Sequence, residues 1–490
     1  MTGLKDMLSK ATALCAEVEK IVELHRMMGL GSETETAYRF FEGDQWAGLE
    51  SGGEKMPIYN FIAPVIRYKT ANIAMNNIAI TYSTASGDPI LQNACTELTR
   101  RASATWERLK MDSKCWDVIK AAMIAGDSYI YFYDGRGECQ VIDRTDIFFG
   151  DETQRDVNKQ PAIFIKERKS VTKLRQEAKA NGVPEEIALT IVADDEQGEP
   201  ARDKCTGYLK MWLEGDDLHF TRFTKTVVYQ PEQVIAGLGC YPIASLVFGS
   251  RRGLCRGIGE ITPMIPNQIE VNRNLARRLL NAKLTAYSRL VYASDRIQNP
   301  QALSEVGSAI EVDGGGVSTI KDAVCYLTPS SMSPDAKLLS DELLTVSKEL
   351  AGAGDAALGH IDPSTASGSA IIAVRDQAAL PLNEQVARFR QFAEDIAFIW
   401  YKLWSVYGIR GVDRKLLVKA MPDIRVDIAN ASPFSKYARE QALERLFSMG
   451  HITLEEYVEA LDDDSAAPKS KLTNIIKRRG VITNGDTENK

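Results

Sequence analysis

Three acidic clusters, Asp151-Glu152, Asp194-Asp195-Glu196 and Asp216-Asp217, are the side chains of this 490-residue chain best suited to hold a divalent cation, as a metal-dependent nuclease would require. Each lies in a polar, turn-like context, so solvated loop carboxylates are the expected outcome. Other chemistries lack their residues. No G-x-x-x-x-G-K-[ST] loop exists to cradle a nucleotide's phosphates. The glycines at 352, 354 and 359 have neither a following Lys-Ser/Thr nor a preceding buried strand. There is no G-x-S-x-G elbow and no H-E-x-x-H pair. Eight cysteines (Cys15, Cys95, Cys115, Cys139, Cys205, Cys240, Cys255 and Cys325) are scattered without a C-x-x-C pair, and none of the four histidines is near a cysteine cluster. Reduced thiols are expected, with no metal site and no cofactor. The chain is therefore not expected to be an enzyme. A nucleic-acid-processing protein or packaging ATPase subunit is the alternative, and it would need motifs that are missing here.

Composition sets wide bounds. At 44% hydrophobic and 26% charged residues the chain reads as an ordinary globular protein, long enough for roughly two to four domains. No uncharged apolar run approaches the ~18 residues of a membrane span, and Met1-Thr2-Gly3-Leu4-Lys5-Asp6 lacks a signal peptide's apolar core. A net charge of −7 argues against gripping nucleic acid over a large basic surface.

The elements that would position any function are mixed α/β and helix-rich. Leu4, Met7, Ala11, Leu14, Val18 and Ile21 repeat at spacings of three and four, predicting an amphipathic helix to about residue 28, ended by Gly29 and Gly31. His25 and Met28 continue that stripe, so His25 is expected to be packed. Residues 60–82 and 90–125 read as helices. Ser128–Tyr133 and Cys139–Ile142 form a hairpin about Asp134-Gly135. Mixed strands and short helices follow to residue 250, with a polar loop at 193–204. Tyr241–Ile243 is a strand leading through a Gly-hinged loop, Gly257-Ile258-Gly259-Glu260, into a helix. Gln268 and Asn272 lie one turn apart on that helix, beside Ile261, Ile265 and Ile269. After strands near Leu290–Tyr292 and a hairpin about Asp313–Gly316, a second helix begins at Ser333-Pro334-Asp335. Its Ala336, Leu339, Leu343, Val346 and Leu350 repeat as a packing seam. Gly352–Ser369 is a loop of small residues. A helix from Ala370 to Tyr407, roughly 50 Å if straight, should kink at Pro381. Residues 415–428 look strand-like, and Phe434–Leu461 reads as two helices meeting at Gly450, followed by an acidic run and a basic tail.

The order helix, small α/β insert, helix, small-residue loop, long kinked helix resembles the core of the portal proteins of tailed double-stranded DNA bacteriophages. Further matches are Tyr38-Arg39-Phe40-Phe41-Glu42-Gly43-Asp44-Gln45-Trp46, then Asn60-Phe61-Ile62-Ala63-Pro64-Val65-Ile66. Others are Ser367-Gly368-Ser369-Ala370-Ile371, and Arg375-Asp376-Gln377-Ala378 with Pro381-Leu382. The resemblance spans about residues 35–460. It implies an N-terminal helix and wing domain over 1–258, a first stem helix over 259–284 and a clip domain over 285–332. A second stem helix over 333–351 and a tunnel loop over 352–369 would follow. A long wing helix with return strands would occupy 370–432, and a helical crown with a flexible basic tail 433–490.

What the resemblance implies functionally is a homo-oligomeric ring of twelve at one capsid vertex. It would conduct double-stranded DNA during packaging and ejection. Its partners would be terminase, a head–tail adaptor, and the major capsid and scaffold proteins, with no membrane. It would reside in the host cytoplasm during assembly and then in the virion. Twelve copies of −7 would carry 12 × −7, or −84, which suits a conduit better than a clamp. By the same resemblance, Gly354, Asp355, His360, Asp362 and Ser364 would touch passing DNA; the plainer reading is a flexible linker. Ile269, Ala336, Leu339, Leu343, Val346 and Leu350 would form the stem interface. Arg273, Arg277, Lys337 and Lys348 would be stem charge sites, on a subunit contact or facing DNA phosphate; a solvated face paired with acids remains the alternative.

Overall fold

The computed structural model describes residues 2–46, 56–74, 77–194, 202–286, 289–304, 307, 309–313, 324–327, 335–352, 380–409, 412–429, 433–461 and 472. It is mixed α/β and helix-rich. The N-terminal helix α1 (Thr2–Met27) ends at Gly29, whose φ of 67° suits glycine. Gly31, expected to help stop that helix, instead lies inside α2 (Leu30–Glu42), which Gly43 terminates. After α3 (Ile62–Ala74) the chain departs from the expected helix over 60–82 and forms β1 (Asn77–Ser83). Alternating Ile78, Ile80 and Tyr82 have the period of a strand, and β-branched side chains favour extended chain. Tyr82 is buried and donates to the Ala397 carbonyl at 2.7 Å.

The next elements are α4 (Pro89–Arg108), α5 (Met111–Ala125), β2 (Asp127–Phe132), β3 (Cys139–Ile142) and β4 (Ile147–Phe149). Then come β5 (Ile163–Ser170), α6 (Val171–Ala180), α7 (Glu185–Ala188), β6 (Lys204–Glu214), β7 (Asp217–Thr224) and β8 (Val228–Ile235). The expected hairpin is present, with Phe132 opposite Cys139, and β9 (Ile243–Val247) pairs with the other side of β2. Strands β4 to β8 form an antiparallel meander in chain order. One cluster sets Ala11, Cys15 and Val18 of α1 against Phe148, Phe164 and Phe223; another sets Leu174, Ala178 and Ile187 against Cys205 and Tyr229. This sheet, read from sequence only as generic strands and short helices, owes its order to successive hairpins.

Two short strands, β10 (Gly249–Ser250) and β11 (Gly257–Ile258), precede α8 (Ile265–Ala286), β12 (Arg289–Tyr292) and β13 (Val324–Leu327). The last two pair antiparallel, Arg289 opposite Leu327, and Ile297 bridges Val312. Most of the hairpin expected about Asp313–Gly316 lies outside the described residues. Helix α9 (Asp335–Leu350) follows. Pro381 does not kink a described helix: it sits in a single 3-10 turn, Leu380–Leu382, and α10 (Asn383–Tyr407) begins just after it. A ring that lacks an N–H fits where a helix starts. Residues 370–379 lie outside the described residues. The segment expected to be strand over 415–428 divides into α11 (Arg414–Ala420) and β14 (Asp423–Ala429). Asp413 caps the helix by accepting from Lys415 N at 3.1 Å, and β14 pairs antiparallel with β1, Val426 opposite Ile80. Helices α12 (Pro433–Ser448) and α13 (Leu454–Ala460) flank Gly450. The main core is centred on fully buried Trp400 and Trp404, with Trp106 and Phe132 meeting Trp400 edge-on at 6.1 Å.

Candidate oligomer interface

Helices α8 and α9 form the candidate site, and the foot of α8 is built from backbone contact. Gly126 and Gly257 press together so closely that a methyl on Gly257 would overlap the Gly126 carbonyl, and one on Gly259 would overlap the Ile124 carbonyl. The loop expected to be a glycine hinge is thus a close-packed crossing. Glu260, the next residue, pairs with buried Lys69 at 2.7 Å. Further along, within α8, Gln268 and Asn272 are 0% and 2% exposed. Gln268 donates to the Tyr59 carbonyl at 2.7 Å and accepts from Phe61 N at 3.1 Å, and Asn272 accepts from Tyr59 N at 3.0 Å. Asn272 also donates to Gln45 Oε1. These two amides substitute for a neighbouring strand along Tyr59–Phe61, satisfying main-chain groups that burial would otherwise orphan.

Beneath this foot lies a buried ionic cluster. Arg256 is fully buried and donates to Glu152 through Nε at 2.8 Å and Nη2 at 2.9 Å, and to the Ile147 carbonyl at 2.8 Å. His25 meets Glu152 Oε1 at 2.5 Å, and Arg144 pairs with Asp127 at 3.1 Å. Burial alone would raise the Glu152 pKa. Hydrogen bonds from His25 and Arg256, with the Arg256 charge, outweigh it and hold the carboxyl well below the usual carboxylate range. Glu152 is therefore no solvated loop carboxylate: the expectation for Asp151-Glu152 holds for Asp151, which caps Thr153, and fails for its neighbour. A charge needs paired, hydrogen-bonded burial of this kind, and a single sequence does not display the distant partners. The packed reading of His25 is correct, at 7% exposure. Among the described residues no group of three or more histidines, cysteines or acids could hold a metal ion.

The α8–α9 contact itself is polar where an apolar seam was expected. Asn274 donates to Ser340 Oγ at 2.7 Å and Asn267 to Ser347 Oγ at 2.9 Å. The two pairs are one heptad apart on each helix and run in opposite senses, so they set an antiparallel register. The apolar stripe lies to one side. At roughly 100° per residue, the stripe's centre is about a quarter-turn from the Ser340–Ser347 face. Leu339, Val346 and Leu350 are 53%, 42% and 79% exposed, with Leu338 at 64% beside them. Ile269 and Leu343 are half-buried and pack on the main core. The stripe is thus divided: Ile269 and Leu343 serve the subunit's own core, and Leu339, Val346 and Leu350 stay open. The side chain of Ala336 lies outside the described residues. Spacing identified an apolar face but could not say what covers it.

Among the charge sites, Arg273 pairs with Glu270 at 2.8 Å on an exposed face, and Arg277 and Lys337 are exposed. Lys348 is half-buried. Gly354, Asp355, His360, Asp362 and Ser364 lie outside the described residues. Sequence reasoning singled out Gln268 and Asn272 without assigning them a role, and missed the Asn267–Ser347 and Asn274–Ser340 pairs, whose heptad spacing was the available signal. No family model matches this chain, and no curated protein matches it.

Proposed function

We propose that this chain is the subunit of a portal ring, twelve copies surrounding an axial channel at one capsid vertex, through which double-stranded DNA is packaged and later ejected. One observation carries the reading: Leu338, Leu339, Val346 and Leu350 remain open to solvent on a helix whose own partner is held by Asn–Ser pairs. Each such side chain contributes about 1.5–3 kcal/mol when buried, so leaving four exposed is costly unless another surface covers them. A head-to-tail neighbour in a closed ring supplies that surface on every subunit. The close-packed foot of α8 would keep the helix pair rigid while chain passes the channel. The small strand pair β12–β13 between the helices would sit at the end of the stalk, where terminase and then a head–tail adaptor dock. Capsid and scaffold proteins would surround the ring. Its work is geometric, with no bond-making of its own.

Negative-stain images of the purified protein test this, and closed rings with an axial hole are expected. Leu339→Asp with Leu350→Asp should give folded monomers, since both positions are exposed within the subunit. Leu343→Asp is unsuitable as a probe because that side chain also packs on the subunit's core. Sedimentation showing only monomers of the unaltered protein at every concentration, with and without capsid protein, would refute the reading.

A further inference from the structure

The seam between α8 and α9 is a repeat. On α8, Asn267, Val271, Asn274, Arg278 and Asn281 recur at spacings of four and three, the interval at which one helix face meets another. Ser340, Leu344, Ser347 and Ala351 recur at the same spacings on α9 and just past its end. Asn274 pairs with Ser340 and Asn267 with Ser347, and Val271, Ser340, Ser347 and Ala351 are buried. The sequence carries the repeat one step further on both helices, to Asn281 and to Ser333, the latter outside the described residues. Small polar residues thus hold every seventh position of a seam whose interval suits leucine.

The side chains for an apolar seam are present on α9 and unused. Leu339, Val346 and Leu350 lie about a quarter-turn around the helix from Ser340 and Ser347, and all three are open. Turning α9 in place by that quarter-turn would bring them onto α8 in exchange for half-buried Leu344, while Leu343 would change one packed surface for another. Hydrophobic burial favours the turn, since three apolar side chains are covered for one uncovered. The Asn–Ser pairs oppose it. The turned helix would carry Ser340 and Ser347 away from α8 and press leucine against Asn267 and Asn274, covering both amides without partners. A polar residue at a seam position fixes register and oligomer state in this way, at a cost in stability.

We propose that the Asn–Ser ladder is the specificity determinant of this surface: it denies the leucine stripe of α9 a place on its own α8 and reserves it for a second copy of the chain. Asn267 and Asn274 act by positioning, through the orientation they impose on α9. The second copy as occupant rests on the ring reading, whereas the outward orientation of the stripe does not.

The test compares two double variants of the full-length protein with the unaltered chain. Asn267→Leu with Asn274→Leu makes the α8 face apolar, and α9 should turn inward. A Val346→Cys substitution added to each protein reports this through maleimide labelling of the monomer fraction from gel filtration. The site should be labelled about tenfold more slowly in the leucine variant, with mass spectrometry separating it from exposed Cys325. Without the added cysteine, the leucine variant should sediment as a folded monomer where the unaltered protein forms rings, and thermal unfolding should find it no less stable. Exchanging one pair, Asn274→Ser with Ser340→Asn, keeps a hydrogen bond at the same site and should preserve fast labelling and rings. Labelling of the leucine variant as fast as that of the unaltered chain overturns the proposal. So do rings formed equally well by both, or an exchanged pair that behaves like the leucine variant. Slow labelling of the leucine variant, with no rings from the unaltered protein, would support the ladder's hold on α9 and overturn the second copy as occupant.

Discussion

Replacing Gln268 with leucine keeps nearly the same volume and removes both ends of one amide. In the native chain that amide donates to the Tyr59 carbonyl at 2.7 Å and accepts from Phe61 N at 3.1 Å, at 0% exposure. The variant leaves the part-buried Tyr59 carbonyl and the buried Phe61 N–H without these partners, each costing about 1–3 kcal/mol. Removing the buried amide itself returns about 1–2 kcal/mol of desolvation, so the net loss is about 1–4 kcal/mol. A chain of this size need not unfold in one step, so the assay should be local. Amide exchange at Phe61 should quicken by roughly five- to 700-fold, since about 1.4 kcal/mol is a factor of ten. Gln268→Glu adds a pH signature. A carboxylate there can still accept from Phe61 N but cannot donate to Tyr59, so its folded pKa should rise above the unfolded value near 4.3. Protonated, it donates again; the variant should therefore be most stable below about pH 4 and weaken as pH rises through the folded pKa. If Gln268→Leu leaves Phe61 exchange within threefold of the unaltered protein, the amide is not what holds the Tyr59–Phe61 segment to α8.

Gly257→Ala places a methyl against the Gly126 carbonyl, where no flexible side chain can yield, and should reduce soluble yield and lower the midpoint of thermal unfolding by more than any exposed-site alanine. Arg256→Met leaves Glu152 and Asp127 without their shared cation and should cost about 3–5 kcal/mol, read by urea unfolding at neutral pH. Because the native Glu152 pKa is depressed, its contribution is present above the unfolded value and disappears as pH falls; the variant should show a shallower loss of stability on acidification. Asp395 behaves oppositely. Burial, then Glu394 and Asp156, push its pKa up to about 7, so it stabilises the fold below pH 4 and that contribution is lost as pH rises through 7. Asp395→Asn should flatten the stability profile between pH 5 and pH 8, measured by thermal unfolding across that range.

Periodicity by itself determined the amphipathic α1, the paired β2 and β3, the long α8 and α9, and the two helices about Gly450. Each of these depends on spacings within one segment, which local physics can read. It erred where two periods compete over a short span. Ile78, Ile80 and Tyr82 were taken into a helix because the strand that pairs with them, β14, is distant in sequence. Residues 415–420 read as strand by pattern yet lie in α11, because Asp413 caps a helix there. Likewise, the spacing of Ala336 to Leu350 identified an apolar face but could not orient it. Orientation required knowing that Asn267 and Asn274 claim Ser347 and Ser340, which leaves Leu339, Val346 and Leu350 uncovered. Tertiary structure alone decided the remainder: that Gly257 and Gly259 serve contact instead of bending, and that Glu152 is buried against Arg256 and His25. It also decided that Gln268 and Asn272 hold the main chain of Tyr59–Phe61. All three depend on groups brought together across long sequence separations. Charge, desolvation and steric overlap act over ångströms in space, and nothing in the local pattern of a chain encodes which distant residue will be the neighbour.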